Sequence, residues 1–274
     1  MKNKNIGVFD SGIGGLTIVK PLIDILPNEN IIYFGDIARV PYGSRSNKTI
    51  YKYALQDINF LKSKNVKMVI AACGTVSSIL FKNNINHSYF EDFYYTGIIE
   101  PTAFKAVKTS LNKNIGIIGT NATINSKSYE LCIKSLDKDI KTISVACPLF
   151  VSVIEEGLFK NKPNTVYDII DIYLSDLKKS NIDTLILGCT HYPLLSNLIY
   201  KYFDNKIKLI NPGVEIAKFT KKYLTKNNLL NTNGGKKSFF ISDEPNNFKD
   251  IASNFLDINI FENINVIKLE DIDK

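Results

Sequence analysis

At 274 residues, 45% apolar and 22% charged, the chain has the composition of a globular protein with room for one sizeable core or two modest ones, which sets aside disordered and fibrous classes. No apolar run approaches the roughly 18–20 residues of a membrane span, and Met1-Lys2-Asn3-Lys4-Asn5 runs straight into a strand-like segment without a signal-peptide core, so no membrane partner and a cytoplasmic location are expected. The net charge of +7 is carried by scattered lysines, Arg39 and Arg45 being the only arginines; without a concentrated basic face no nucleic-acid partner is expected.

In chain order, a strand at 6–9 leads through Asp10-Ser11-Gly12-Ile13-Gly14-Gly15 into a helical-period stretch at 16–26. A strand at 31–34 is followed by a loop rich in turn formers, from Gly35-Asp36 to Tyr42-Gly43 and Arg45, and by a helix at 47–62. The strand at 68–72 ends in Cys73-Gly74-Thr75. Next come a strand at 94–98, a helix at 101–111, a strand at 115–118, a helix at 124–136 and a strand at 142–146. A helix at 166–179 precedes the strand at 184–187, which ends in Gly188-Cys189-Thr190-His191-Tyr192-Pro193. A helix at 193–202 and a strand at 208–210 complete the regular alternation; the remainder reads as a polar loop at 225–237, a strand at 238–242 and a last helix from about Asn246. Alternation of this kind predicts an α/β fold with parallel sheets covered on both faces. Right-handed crossovers then gather the strands' C-terminal ends on one edge, where ligands bind.

The pattern echoes itself. Asn5-Ile6-Gly7-Val8-Phe9-Asp10-Ser11 is similar to Asn114-Ile115-Gly116-Ile117-Ile118-Gly119-Thr120, and the strand before Cys73 is similar to the strand before Cys189, at nearly the same offset. Two related lobes, 1–98 and 99–210, each with a strand-end cysteine, are expected, with 211–274 as a tail packing back on the first lobe. Chance similarity between buried parallel strands is the alternative.

The glycine-rich loop at 10–15 would let a ligand approach the backbone at a helix N-terminus. It fits neither G-x-G-x-x-G nor the P-loop, and Asp10 or Ser11 could simply cap the helix. The loop at 35–45 is dense in polar groups for a mere connection, although Asp36 could serve only as a partner for Arg39. Cys73 and Cys189 each sit where a helix is expected to begin, and a helix N-terminus lowers a thiol pKa. A thiolate poised near working pH can take and return a proton. Cys132, within a helix pattern, and Cys147, before Pro148, read as core. His191 could take part in proton traffic or be structural, and the adjacent Glu155 and Glu156 read as a solvated face unless other residues promote one of them.

Together, Asp10-Ser11-Gly12, the 35–43 loop, Cys73-x-Thr75, Ala146-Cys147-Pro148-Leu149-Phe150 and Gly188-Cys189-Thr190-His191-Tyr192-Pro193 resemble the glutamate racemases of the aspartate/glutamate racemase superfamily, in order and spacing across about residues 5–215. The resemblance implies two pseudo-symmetric α/β lobes, each a mainly parallel sheet flanked by helices, with the active site between them. It implies no cofactor and a small-molecule substrate, glutamate, racemised to supply D-glutamate for peptidoglycan and hence for cell-wall biogenesis and cell shape. By motif, Cys73 and Cys189 would be the acid/base thiols, Asp10 and His191 their helpers, and Glu155 (or Glu156 in a shifted registration) the support of His191. Asp10, Ser11, Tyr42, Gly43, Gly74, Thr75, Thr120, Thr123, Thr190 and His191 would line the substrate. A homodimer is the assembly considered, although no motif encodes it. One residue departs from the family pattern: asparagine usually follows the first cysteine, and here Gly74 does. That predicts either a lost hydrogen bond to substrate or room for another acidic substrate, with Gly74→Asn improving glutamate turnover if the backbone permits. The competing readings are an aspartate racemase or an isomerase or decarboxylase of small dicarboxylates, a binding protein that keeps the fold, and a Cys–His hydrolase. The last two would leave one or both thiol motifs without a task.

Overall fold

The computed structural model describes residues 1–244, 248–256, 264–268 and 270. Strands β1 (Asn5–Asp10), β2 (Ile31–Gly35), β3 (Val66–Ala71) and β4 (Tyr94–Gly97) lie in the order β2-β1-β3-β4. Strands β5 (Asn114–Gly119), β6 (Lys141–Ala146), β7 (Thr184–Leu187) and β8 (Lys208–Ile210) form a second sheet in the order β6-β5-β7-β8. The two orders are the same design used twice, so the echo in the sequence is a repeat of architecture. Strands β9 (Lys237–Ile241) and β10 (Ile264–Val266) extend the first sheet beyond β2. Every pairing among the described strands is parallel.

Alternation along the strands explains the layers. In the first sheet Ile6, Val8, Met68 and Ile70 join one core cluster with Leu16, Ile18 and Leu22 of helix α1 (Leu16–Ile25). Phe9, Phe34, Val69 and Ala71 face the other way, onto Ile50, Ala54 and Ile58 of α2 (Asn47–Ser63) and onto α3 (Gly74–Lys82). In the second sheet Ile115, Ile117 and Ile186 pack with α4 (Ile99–Thr109), α5 (Asn121–Ser126) and α6 (Ser128–Leu136). Leu185 and Leu187 share the first cluster with α7 (Leu149–Glu155), α9 (Pro163–Lys179) and α10 (Ser196–Tyr202), while the short α8 (Leu158–Asn161) packs against α7 and α9. One core cluster therefore runs through both lobes, and each fully buried Ile, Leu or Phe in it contributes roughly 1.5–3 kcal/mol. Among the described residues no helix is long and apolar enough to cross a membrane.

Two departures from the sequence reading have local causes. The helix expected at 124–136 is two helices, broken at Lys127, whose φ is 56°. There Ser126 donates to the Thr123 carbonyl at 2.6 Å and accepts from the Ser128 amide at 3.1 Å, hydroxyl bonds that compete with a continuous helix ladder. Helix α11 (Pro212–Lys226) was not foreseen and takes in the first residues of the expected polar loop; Asn211 caps it by accepting from the Gly213 amide at 2.9 Å. The start of the last helix at Asn246 lies outside the described residues, and α12 is described over Phe248–Ser253. The tail reaches both lobes: β9 pairs with β2, whereas Asn254 accepts from Lys160 at 2.7 Å and the Phe255 ring meets His191 edge-on at 5.2 Å.

Candidate active site

The repeat places the two thiols. In the first sheet Ala72 donates to the Phe9 carbonyl at 2.8 Å, and in the second Gly188 donates to the Ile118 carbonyl at 2.7 Å. These are the last bonds from β3 and β7 to their central neighbours, and Cys73 and Cys189 are the next residues along. Each thiol thus stands at the switch point of its own sheet, the usual ligand position in such folds. A cavity of about 470 Å³ lies beyond these strand ends and is lined by both cysteines. Another cavity, about 560 Å³, opens by Lys4, Lys67 and Tyr94 at the strands' N-terminal ends, the edge where neither thiol lies.

Ser11, Tyr42, Gly43, Gly74, Thr75, Thr120, Thr190 and His191 also line the thiol cavity, as the sequence leads one to expect. Two expected residues lie behind its wall: Asp10 is buried beneath the 10–15 loop, and Thr123 is buried behind Thr120. Their neighbours explain their places. Asp10 accepts from the Gly12 amide at 3.2 Å and shapes that loop, while Thr123 lies 3.0 Å from the Thr120 hydroxyl, which is itself 2.9 Å from Thr75. That threonine chain crosses from one lobe to the other. Tyr42 reaches the cavity, and its hydroxyl donates to Asp36, so its proton is already engaged. Asp36 also takes the Arg39 Nε at 2.5 Å and the Ser242 hydroxyl at 2.9 Å, and Arg39 reaches Asp57 at 2.8 Å. The reading of Asp36 as an Arg39 partner is therefore the one the structure supports, with the network pinning the loop that carries Tyr42 and Gly43.

Sequence reasoning missed Asn121, Ser152, Pro41 and Ser44 on the cavity wall. Ser152 lies three residues before Glu155 on α7, hence on the same helix face, a signal that could have been used once Glu155 was singled out. Of the two glutamates, Glu155 is the partner: its Oε1 lies 2.9 Å from His191 Nε2, and His191 Nδ1 lies 3.8 Å from Cys189 Sγ.

The electrostatics correct one expectation. Cys73 precedes α3 as expected, and its thiol meets the Ser11 hydroxyl at 3.3 Å. Burial, followed by the nearby Asp10 charge, pushes the Cys73 thiol up to about 12, with the Ser11 contact and the Val76 amide of the first helical turn opposing. Desolvation outweighs the helix terminus here, which favours the protonated form of Cys73. Near Cys189 a tight 3-10 turn over Tyr192–Leu195 comes first, and α10 begins only at Ser196. Burial works against the His191 cation, yet the Cys189 and Glu155 contacts raise the imidazole to about 10. The Asp10 carboxyl is raised from the usual range by burial, against the opposing pull of His191.

Gly74 brings a second correction. Its φ is not left-handed, so the backbone would tolerate a side chain, but a Cβ there would stand 2.2 Å from the Gly188 carbonyl oxygen. The predicted spare room at this position does not exist, because the other lobe's cysteine loop fills it. Gly74→Asn is accordingly expected to impair the protein.

Two lobes of one design, each presenting a thiol at its switch point to a shared cavity, are the layout of a known group. The chain belongs to the Asp/Glu/Hydantoin racemase family, whose model matches residues 18–220. It is 42% identical over 271 residues to a glutamate racemase of Thermoanaerobacter pseudethanolicus, an alignment covering 98% of this chain and 99% of that relative. Among solved structures, glutamate racemase from Francisella tularensis in complex with D-glutamate superposes with a TM-score of 0.90 at 40% identity, covering 99% of this chain and 100% of that one. Glutamate racemase isoform RacE1 from Bacillus anthracis also gives 0.90, at 34% identity, covering 98% of this chain and 99% of that one.

Proposed function

We propose that the protein interconverts L- and D-glutamate without a cofactor, by two-base proton transfer at Cα, and so supplies D-glutamate for peptidoglycan in the cytoplasm. The observation that carries this reading is the pair of thiols at equivalent strand ends facing one cavity; the glutamate racemase relatives support the choice of substrate. Racemisation needs a proton taken from one face of Cα and returned on the other, which two groups on opposed lobes can do. Cys73 and Cys189 are assigned that task. His191, held by Glu155, exchanges protons with Cys189, and Asp10 tunes the Cys73 side.

Charge grows on the substrate carboxylate as the Cα–H bond breaks, and each preorganised donor aimed there contributes roughly 3–4 kcal/mol. Ser11, Thr75, Thr120 and Thr190, with backbone groups of Gly43 and Gly74, are the assigned donors and contacts, and Tyr42 and Thr123 shape the wall. The functional units are taken as a first lobe over 1–98, a second over 99–210 and a tail over 211–274. Dialysed protein incubated with L-glutamate in the presence of chelator, followed by chiral chromatography, should yield equal amounts of the two enantiomers. Racemisation of aspartate but not glutamate would refute the substrate, and loss of activity in chelator with rescue by a metal would refute cofactor independence.

A further inference from the structure

The loops that carry the two half-sites touch through glycines. A Cβ on Gly14, in the loop after β1, would stand 2.5 Å from the His191 ring and 2.5 Å from Thr190 Oγ1. A Cβ on Gly74 would stand 2.2 Å from the Gly188 carbonyl, one residue before Cys189. Neither glycine has a left-handed φ, so the lack of a side chain at each is a matter of space. By contrast, the nearest atom to a Cβ on Gly43 would be 3.7 Å away, an ordinary contact.

The groups opposite have little freedom to yield. Gly188 donates to Ile118 at 2.7 Å, and a Cβ on Gly188 itself would stand 2.6 Å from that same Ile118 carbonyl. The His191 ring is held by Glu155 on one nitrogen and lies against Cys189 on the other, with the Phe255 ring edge-on at 5.2 Å. Across the same seam the Thr17 hydroxyl donates to the Thr190 carbonyl at 2.7 Å.

We propose that Gly14 and Gly74 are positioning residues: bare of side chains, they let the first lobe's loops close directly on the segment Gly188–His191 and fix where Cys189 and its imidazole stand relative to Cys73. This rests on the racemase reading above, and wild-type racemisation measured in parallel separates a failure of that reading from a failure of this one. A side chain at 74 drives the Gly188 backbone away from α3 and carries Cys189 with it. A side chain at 14 pushes the imidazole off its Glu155 and Cys189 contacts.

Helix propensity favours alanine over glycine at position 74, in the first turn of α3, so a loss in Gly74→Ala must come from the contact. The expected result is a kcat at least tenfold lower, with a primary isotope effect on α-deuterated glutamate that becomes unequal for the two enantiomers because one thiol has been displaced. A wild-type kcat and unchanged isotope effects would overturn the proposal. Gly14→Ala is compared on unfolding temperature in two backgrounds, native and His191→Ala/Thr190→Ala, so that a variant too unstable to assay still decides the matter. Removing the imidazole and the Thr190 hydroxyl removes both groups that a Cβ on Gly14 would meet at 2.5 Å, so Gly14→Ala should lower the unfolding temperature, or prevent folding, in the native background and cost clearly less in the doubly truncated one. Equal losses in the two backgrounds, or failure to fold in both, would overturn it.

Discussion

Cys73→Ser and Cys189→Ser should each reduce racemisation by roughly 10²–10⁴-fold, the usual worth of a positioned general acid or base. Serine keeps the shape of the side chain, but its hydroxyl is far too weak an acid to hold or release the proton at the same free energy. Because each turnover uses one group as base and the other as acid, the loss should appear from both enantiomers. The two losses should be grossly non-additive when combined, as for residues acting as one unit. The measurement is initial-rate chiral assay of both variants and the double variant in both directions. A single serine variant racemising near the wild-type rate would make that cysteine a packing residue.

Glu155→Gln should move the alkaline limb of the kcat/KM profile downwards. His191 is raised from 6.5 to about 10, burial opposing and the Cys189 and Glu155 contacts prevailing, so the imidazole stays protonated across neutral pH. The stability this gives is fully present below 6.5 and is lost as pH rises through about 10. An amide in place of the Glu155 carboxylate removes one of the two raising partners, and the imidazolium then deprotonates at lower pH. Activity at pH 9 should fall by about tenfold or more, with a smaller loss at pH 6, where the ring is protonated in either protein. His191→Asn should lower activity across the whole range. A Glu155→Gln profile superimposable on that of the wild type would show that the contact has no part in the proton path.

The arrangement of the sheets was legible because buried parallel strands announce themselves as apolar runs, and the strand-end motifs fell where such sheets place ligands. The cysteine pair was legible for the same reason: the segments before Cys73 and Cys189 repeat each other, and the strand orders repeat with them. What stayed hidden depends on contacts between distant segments. Nothing near Cys73 in sequence discloses the burial that, ahead of the Asp10 charge, lifts its thiol. Nothing near Gly74 discloses the Gly188 carbonyl against it. The Tyr42 hydroxyl is claimed by Asp36 within a network that includes Ser242 from the tail, so a local motif could place the loop but not assign its donors. Strand β10, a short edge with asparagine at its centre, carries too little alternation to be read.

Proton transfer in deuterium oxide tests the two-thiol account most directly. Protiated L-glutamate should give D-glutamate that carries deuterium at Cα from the earliest turnovers, while the L-glutamate left at that stage remains protiated, because the proton leaves on one thiol and a solvent-derived one arrives from the other. D-glutamate that retains the substrate's own proton would show a single base acting on both faces and would contradict the assignment of Cys73 and Cys189 as opposed partners.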